Sequence, residues 1–248
     1  MVDHNIFSRV ERLTGRDAME ALHNVRVIIF GVGGVGSWTA EALVRTGIMD
    51  ITIVDADVVA ASNINRQLMA TVSTIGRSKV EVLCERLLDI NPDARIKAIH
   101  QIYSADTACL FNLSDYDYVV DAIDSLTEKA MLILNAEAAG VKLYSSMGAA
   151  LKLDPTKVEV AKFRNVSGCR LAAALRRKFR MLGMMPKGKF ETVFSQEFAV
   201  NRGEAVDDSG AMTYGKVAYN GALCHITAIF GMTLAGLIIR DITSPFLR

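Results

Sequence analysis

Apolar residues recur in two rhythms along the chain. Short runs rich in β-branched residues alternate with longer stretches whose apolar positions repeat every three or four residues. The runs VRVIIF (Val25–Phe30), ITIVD (Ile51–Asp55), RIKAIH (95–100), YVVDAID (Tyr118–Asp124) and VKLYSS (141–146) predict five strands. KVEVAKF (Lys157–Phe163) predicts a further strand, read as antiparallel. Between them, SWTAEALVRTG predicts a helix stopped by Gly47. A second helix carries Val80, Leu83, Leu87 and Ile90 at helical spacing and is ended by Pro92. A third opens with Ser125 and Glu128 at capping-box spacing. Strand and helix alternate, so the predicted fold is α/β: a doubly wound, mostly parallel sheet with helices on both faces. No internal repeat interrupts this pattern.

Two segments depart from it. From Lys162 to Lys189 the chain carries nine of its 28 cations and none of its 27 acids. Elsewhere 19 cations face 27 acids, so a near-neutral total hides a basic segment on an acidic body. In that segment Leu171, Leu175, Phe179 and Leu182 mark one helix face, and Arg176, Arg177 and Arg180 the other. A solvated helix face is the ordinary reading of such charge. The missing acids favour an anionic partner such as RNA. Between Lys216 and Arg240 no residue carries a formal charge. A membrane span needs about 20 apolar residues. Tyr219, Asn220, Gly221, His225, Thr227 and Thr233 interrupt this stretch, so a buried core helix is expected, and contact with a membrane stays open.

Composition narrows the class further. A hydrophobic fraction of 51% supports a sizeable core. Cys84, Cys109, Cys169 and Cys224 are scattered, which disfavours a zinc site of paired cysteines and suits a reducing, cytoplasmic setting. Each is expected to be a buried core thiol. The N-terminal MVDHNIFSRVERL is charged and lacks the apolar core of a signal peptide. His4, His23, His100 and His225 have no metal-ligand spacing, and His225 is expected to be a hydrogen-bonded core histidine.

The first strand runs into FGVGGVGSW. Gly31, Gly33 and Gly36 satisfy G-x-G-x-x-G between a strand and a helix, with Gly34 inside the turn. Glycines let backbone N–H groups approach a phosphate, and the helix N-terminus adds partial positive charge. Asp55 ends the second strand at the usual distance for a carboxylate that meets ribose hydroxyls. On these features alone a dinucleotide dehydrogenase is the default. Trp38, inside the following helix, is read as packed rather than stacked on adenine.

The next residues point elsewhere. VDADVVAASNINRQ places Asp55, Asp57, Asn63, Asn65, Arg66 and Gln67 just past the second strand, and Lys79 follows thirteen residues after Arg66. The fourth strand ends in Asp121 and Asp124. The carboxyl ends of parallel strands share one rim, so Arg66, Lys79 and Asp124 converge on a triphosphate. Singly each has a plain reading: Asp124 capping a helix with Ser125, Lys79 solvated, Arg66 paired with Asp57. Together they suit nucleotidyl transfer, which must neutralise a pentavalent α-phosphate and departing pyrophosphate and place a magnesium ion. Hydride transfer needs no such set.

GVGGVGSW, VDADVVAASNINRQ, GRSKVE and VVDAIDS, in this order over roughly residues 1–165, resemble the ubiquitin-activating-enzyme-like superfamily, the ThiF/MoeB group of adenylating enzymes. The resemblance implies a Rossmann-like fold and ATP with Mg2+ as cofactors. It implies that Gly31, Gly33, Gly34 and Gly36 cradle phosphates and Asp55 holds ribose. By the same likeness Asp57, Asn63 and Gln67 join the nucleotide site, Arg66 and Lys79 act on the triphosphate, and Asp124 holds magnesium. Arg9, in FSRVERL, matches a position that reaches the neighbouring subunit's ATP site, which implies a homodimer with composite sites. The division implied is one domain over 1–248, with an ATP-binding core and N-terminal helical arm over 1–161. The basic segment and a C-terminal strand and helix extension fill 162–248.

SSMGAALKLDPTKVEV, LAAALRRKFR and VFSQE further resemble the tRNA threonylcarbamoyladenosine dehydratase subgroup, across nearly the whole chain. Cys169-Arg170 stands where that subgroup is expected to carry an acidic-proline pair. The activity implied is adenylation of a threonylcarbamoyl carboxylate on a tRNA adenosine beside the anticodon, then ring closure with loss of AMP. Asp121 is read as structural. Two rivals remain at this point. One is adenylation of the C-terminal glycine of a ubiquitin-fold sulfur carrier, with Cys169 as the acceptor thiol and a sulfurtransferase as partner. The other is an NAD enzyme or a nucleotide-binding regulator.

Overall fold

The structure, a computed structural model, describes residues 6–204 and 220–247. His4, Lys216 and Tyr219 of the sequence reading lie outside the described residues. Seven strands form one sheet: β1 (Arg26–Phe30), β2 (Asp50–Val54), β3 (Arg95–Ile99), β4 (Tyr118–Asp121), β5 (Lys142–Ser146), β6 (Val158–Lys162) and β7 (Glu191–Ser195). Their order is β3-β2-β1-β4-β5-β7-β6. All neighbours are parallel except β6, which runs antiparallel to β7 with Val160 opposite Val193. The strand and helix alternation thus reads through into a Rossmann-like α/β fold.

Among the described residues seven α-helices accompany the sheet: α1 (Ser8–Thr14), α2 (Arg16–Asn24), α3 (Gly36–Thr46), α4 (Lys79–Ile90), α5 (Leu126–Ala139), α6 (Arg170–Leu182) and α7 (Cys224–Thr243). Central strands of a parallel sheet are covered on both faces, which is why β1 and β4 are near-continuous apolar runs. Alternate residues of β1 serve opposite cores. Val27 and Ile29 pack with Leu43, Val44, Val80, Leu83, Phe230 and Leu234 of α3, α4 and α7. Ile28 and Phe30 pack with Ala130, Ile133, Leu175 and Phe179 of α5 and α6. Gly47 and Gly140 end α3 and α5 in the left-handed conformation.

By length and composition α7 could cross a membrane. In this fold Ile226, Phe230, Leu234 and Ile238 are buried against the sheet and α3. Gly231 permits the close crossing. A methyl group there would stand 2.5 Å from the Val35 carbonyl oxygen and 2.8 Å from Trp38 Cβ. Thr39 Oγ1 donates to the Gly231 carbonyl at 3.1 Å across the same contact. Gly231→Ala should therefore lower unfolding stability by about 1–3 kcal/mol, the usual cost of overpacking, read as a drop in the urea midpoint. An unchanged midpoint would contradict the crossing geometry.

Several sequence expectations need correction. The fourth strand ends at Asp121, not Asp124, although the Ala122 N–H still donates to the Phe30 carbonyl of β1 at 2.9 Å. Ser125 and Glu128 form no reciprocal capping box; the Ser125 hydroxyl donates to the Glu128 carboxylate instead. VFS of VFSQE forms the end of β7, which is inserted between β5 and β6. On α6, Leu182 is exposed, since the helix overshoots the core there. Arg176 turns inward and donates to the carbonyls of Phe163 and Val166. Cys169 is buried, but Cys109 and Cys224 are exposed. His225 is exposed as well, in the first turn of α7, with Nε2 3.2 Å from the Leu153 carbonyl oxygen.

Candidate active site

From β1 the chain crosses to β2 on one side, while β4 lies on the other. The crevice at the carboxyl ends of β1 and β4 is the topological switch point, where open α/β sheets take their ligands. The glycine turn occupies it. Gly31 has φ +83°, and a Cβ there would lie 2.7 Å from the Ala122 carbonyl oxygen. Its N–H donates to the Val54 carbonyl at 2.8 Å. A Cβ on Gly36 would lie 1.9 Å from the Gly31 carbonyl oxygen, so the first turn of α3 sits directly on the loop. Ser37 Oγ closes the turn by donating to the Gly33 carbonyl at 2.7 Å. Gly34 faces Thr227 of α7.

Asp55 is fixed by the same turn. Its Oδ2 accepts from the Val32 N–H at 2.8 Å and its Oδ1 from the Asp57 N–H at 2.9 Å. Burial pushes its carboxyl above the ordinary range, and the nearby Lys79 ammonium pulls the other way. Beyond it the long connection to α4 folds back on itself. Val59 N–H donates to the Arg77 carbonyl, Gly76 N–H to the Val59 carbonyl and Lys79 N–H to the Asp57 carbonyl. This return delivers Lys79 to Asp57, Nζ to Oδ2 at 2.7 Å. Lys79 is 5% exposed and is the first residue of α4. A buried cation at the positive end of a helix is unfavourable on its own, and the Asp57 carboxylate offsets it. Asp57 therefore takes Lys79 as its cation, and not Arg66 as the plain alternative for that arginine would have it.

The turn before α4 carries the remaining polar groups. Asn63 is buried, and its Oδ1 holds the turn by accepting from the Ala60 N–H at 3.0 Å. Arg66 is half-buried, with Nη1 donating to the Ser62 carbonyl at 2.7 Å and to Asn65 Oδ1 at 3.1 Å. Its own carbonyl accepts from Trp38 Nε1 at 3.3 Å and Thr227 Oγ1 at 3.4 Å. Trp38 is thus packed on the loop, as expected. Gln67 is 6% exposed, and its side-chain amide lies against Gly33. Gln67 Oε1 and Ser78 Oγ are buried with no hydrogen-bond partner among the described residues. Buried oxygens are normally satisfied, so an unpaired one on a phosphate-type loop fits a polar ligand such as a nucleotide.

Asp124 stands exposed, three residues beyond the end of β4. No group of three His, Cys, Asp or Glu side chains that could cage a metal occurs among the described residues. Magnesium carried by a triphosphate needs only one or two protein carboxylates, and one exposed carboxylate at the rim fits that donor set. Asp121 is wholly buried; burial pushes its carboxyl up and Lys129 lowers it. It faces the core and not the crevice. Arg9 lies on an exposed face of α1, a helix with no buried residue.

The fold thus gathers Gly31, Gly33, Gly34, Gly36, Asp55, Asp57, Asn63, Arg66, Gln67 and Lys79 into one connected rim, and leaves Arg9 outside it. Sequence reasoning missed Thr227, which the α7 crossing brings to Gly34. It also missed Lys129, although the signal was present: Lys129 heads the stripe Leu132, Ile133 and Ala136 on the buried face of α5.

The ThiF family profile matches residues 7–244. A tRNA threonylcarbamoyladenosine dehydratase of Bacillus subtilis is 34% identical over 241 residues, covering 95% of this chain and 94% of its own. The crystal structure of E. coli tRNA N6-threonylcarbamoyladenosine dehydratase, TcdA, in complex with ATP superposes with a TM-score of 0.86 at 31% identity, over 99% of this chain and 98% of that one. Molybdopterin-synthase adenylyltransferase of E. coli is 34% identical over 139 residues, 56% of this chain and 54% of its own.

Proposed function

This chain belongs to the ThiF family, and we propose that it is an ATP-dependent tRNA threonylcarbamoyladenosine dehydratase. One observation carries the reading. Likeness to the B. subtilis dehydratase runs along 95% of the chain, the basic segment included, whereas likeness to the E. coli molybdopterin-synthase adenylyltransferase covers 56%. The connected rim suits the chemistry required.

ATP lies with its phosphates on the Gly31–Gly36 turn and its ribose hydroxyls on Asp55. The threonylcarbamoyl carboxylate attacks the α-phosphate, and the bond to the β-phosphate breaks to release pyrophosphate. Arg66 and Lys79 neutralise the charge that develops on those oxygens, with Asp57 holding the Lys79 ammonium in place. Asp124 is the magnesium ligand. Magnesium, when bound, screens the phosphate charge. A nitrogen of the same carbamoyl group then attacks the acyl carbon, AMP leaves, and the nitrogen gives up its proton. Ring closure within one molecule gains from high effective molarity, so little further help is needed.

The exposed cations Lys162, Arg164, Arg177, Arg180, Lys187 and Lys189 supply the face for tRNA phosphates. Arg9 completes the ATP site of a second copy in a homodimer. The chain's scattered cysteines suit work in the reducing cytoplasm. Mixing the protein with ATP, magnesium and tRNA should give AMP only when the tRNA bears the threonylcarbamoyl group. AMP formed equally with unmodified tRNA, or not at all, would sink the assignment. Pyrophosphate exchange driven by a ubiquitin-fold carrier and not by tRNA would restore the alternative substrate.

A further inference from the structure

Asp121, the last residue of β4, and Lys129, on α5, form an ion pair of 2.8 Å in which both side chains are 0% exposed. The same Asp121 oxygen, Oδ2, accepts from Ser145 Oγ of β5 at 2.6 Å. Its other oxygen accepts from the Ile123 N–H at 3.2 Å. Lys129 Nζ also donates to the Ile123 carbonyl at 2.9 Å. The two charges therefore grip Ile123 by both of its peptide groups. Its N–H belongs to the peptide bond after Ala122, and its carbonyl belongs to the peptide bond that leads into Asp124.

A buried ion pair is a poor device for stability alone, because desolvating two charges cancels most of their attraction. Apolar residues of the same volume would fill this space between β4, β5 and α5 at least as well. What they could not do is hold a loop peptide from two directions. The loop held this way is the one between β4 and α5. Ala122 lies against Gly31, so the segment lines the crevice, and Asp124 is exposed at its tip.

We propose that Lys129 and Asp121, braced by Ser145, are positioning residues that fix the Ile123–Asp124 peptide plane and thereby aim the Asp124 carboxylate at magnesium on the nucleotide phosphates. This rests on the metal role given to Asp124 above. Asp121 itself never touches the substrate.

The test compares ATP binding by calorimetry in magnesium and in EDTA, with thermal unfolding recorded alongside. Lys129→Met alone strands a buried carboxylate, so the informative protein is Asp121→Asn combined with Lys129→Met, which removes both charges at nearly constant volume. It should unfold cooperatively and bind ATP in EDTA like the parent. Its affinity for ATP in magnesium should fall by about 10-fold, as when a partner that orients a metal ligand is lost. A folded double variant with parental affinity in magnesium overturns the proposal. Should the double variant not fold, Ser145→Ala decides: a smaller loss confined to magnesium supports the brace, and no loss overturns it. A parent protein that binds ATP equally with and without magnesium overturns both this inference and the Asp124 assignment. A magnesium-specific loss in a protein that fails to dehydrate tRNA supports the brace and removes only the dehydratase reading.

Discussion

Lys79→Ala and Arg66→Ala are each expected to lower the rate of tRNA-dependent AMP formation by about 100-fold or more, the usual effect of losing one charge stabiliser of a transition state. Both should leave the fold standing. Lys79 is buried, but its one ion-pair partner, Asp57, keeps a side chain 34% exposed. Water can solvate that carboxylate once the ammonium is gone, so the unpaired-charge penalty of a deep site does not apply. Within its own turn the Arg66 guanidinium donates to the Ser62 carbonyl and Asn65 Oδ1. Its structural duty is carried by its backbone carbonyl, which alanine retains. The measurement is single-turnover AMP release beside a thermal unfolding curve. Parental rates in either variant would remove that side chain from the chemistry, and a collapsed unfolding curve would show that stability had been lost instead.

Gly36→Ala should be the most damaging small substitution in the nucleotide loop, costing about 3 kcal/mol or more of unfolding free energy, the upper end for overpacking. The added methyl would lie 1.9 Å from the Gly31 carbonyl oxygen, a backbone atom that cannot rotate away. Relief requires α3 to lift off the turn, and α7 clamps α3 through Gly231. The contrast is Gly33→Ala. There the nearest atom is Gln67 Nε2 at 3.6 Å, an ordinary contact. That methyl costs little stability but stands where phosphates approach the backbone, so ATP affinity should fall while the urea midpoint holds. Equal midpoints for the two variants would refute the stated division between packing and binding.

Much of this fold was legible because each strand carried its own pattern. The β-branched runs at 26–30, 50–54 and 118–121 are buried on both faces and needed no tertiary information to be read as strands. The nucleotide loop was legible too, since its glycines and Asp55 sit at fixed offsets around a strand end. What failed had a tertiary cause. Nothing local says that Arg176 turns inward, because its partners are carbonyls at Phe163 and Val166, more than two helical turns away in sequence. His225 reads as core in an apolar run, but α7 begins at Cys224 and its first turn projects past the sheet. Asp57 has two cations within reach by sequence, and only the folded-back connection before α4 selects Lys79. The Lys129 brace was written in the helix periodicity, but a lone lysine in an apolar stripe acquires meaning only when Asp121 is known to face it.

The approach of α7 to the loop after β1 has a consequence for biosynthesis. Thr227 packs on Gly34 and bonds to the Arg66 carbonyl, and Gly231 seats against Val35 and Trp38. Residues 34–66 therefore cannot reach their final arrangement until α7 has left the ribosome. A nascent chain can pair β1 to β5 early, yet it gains a finished nucleotide crevice only once α7 has emerged.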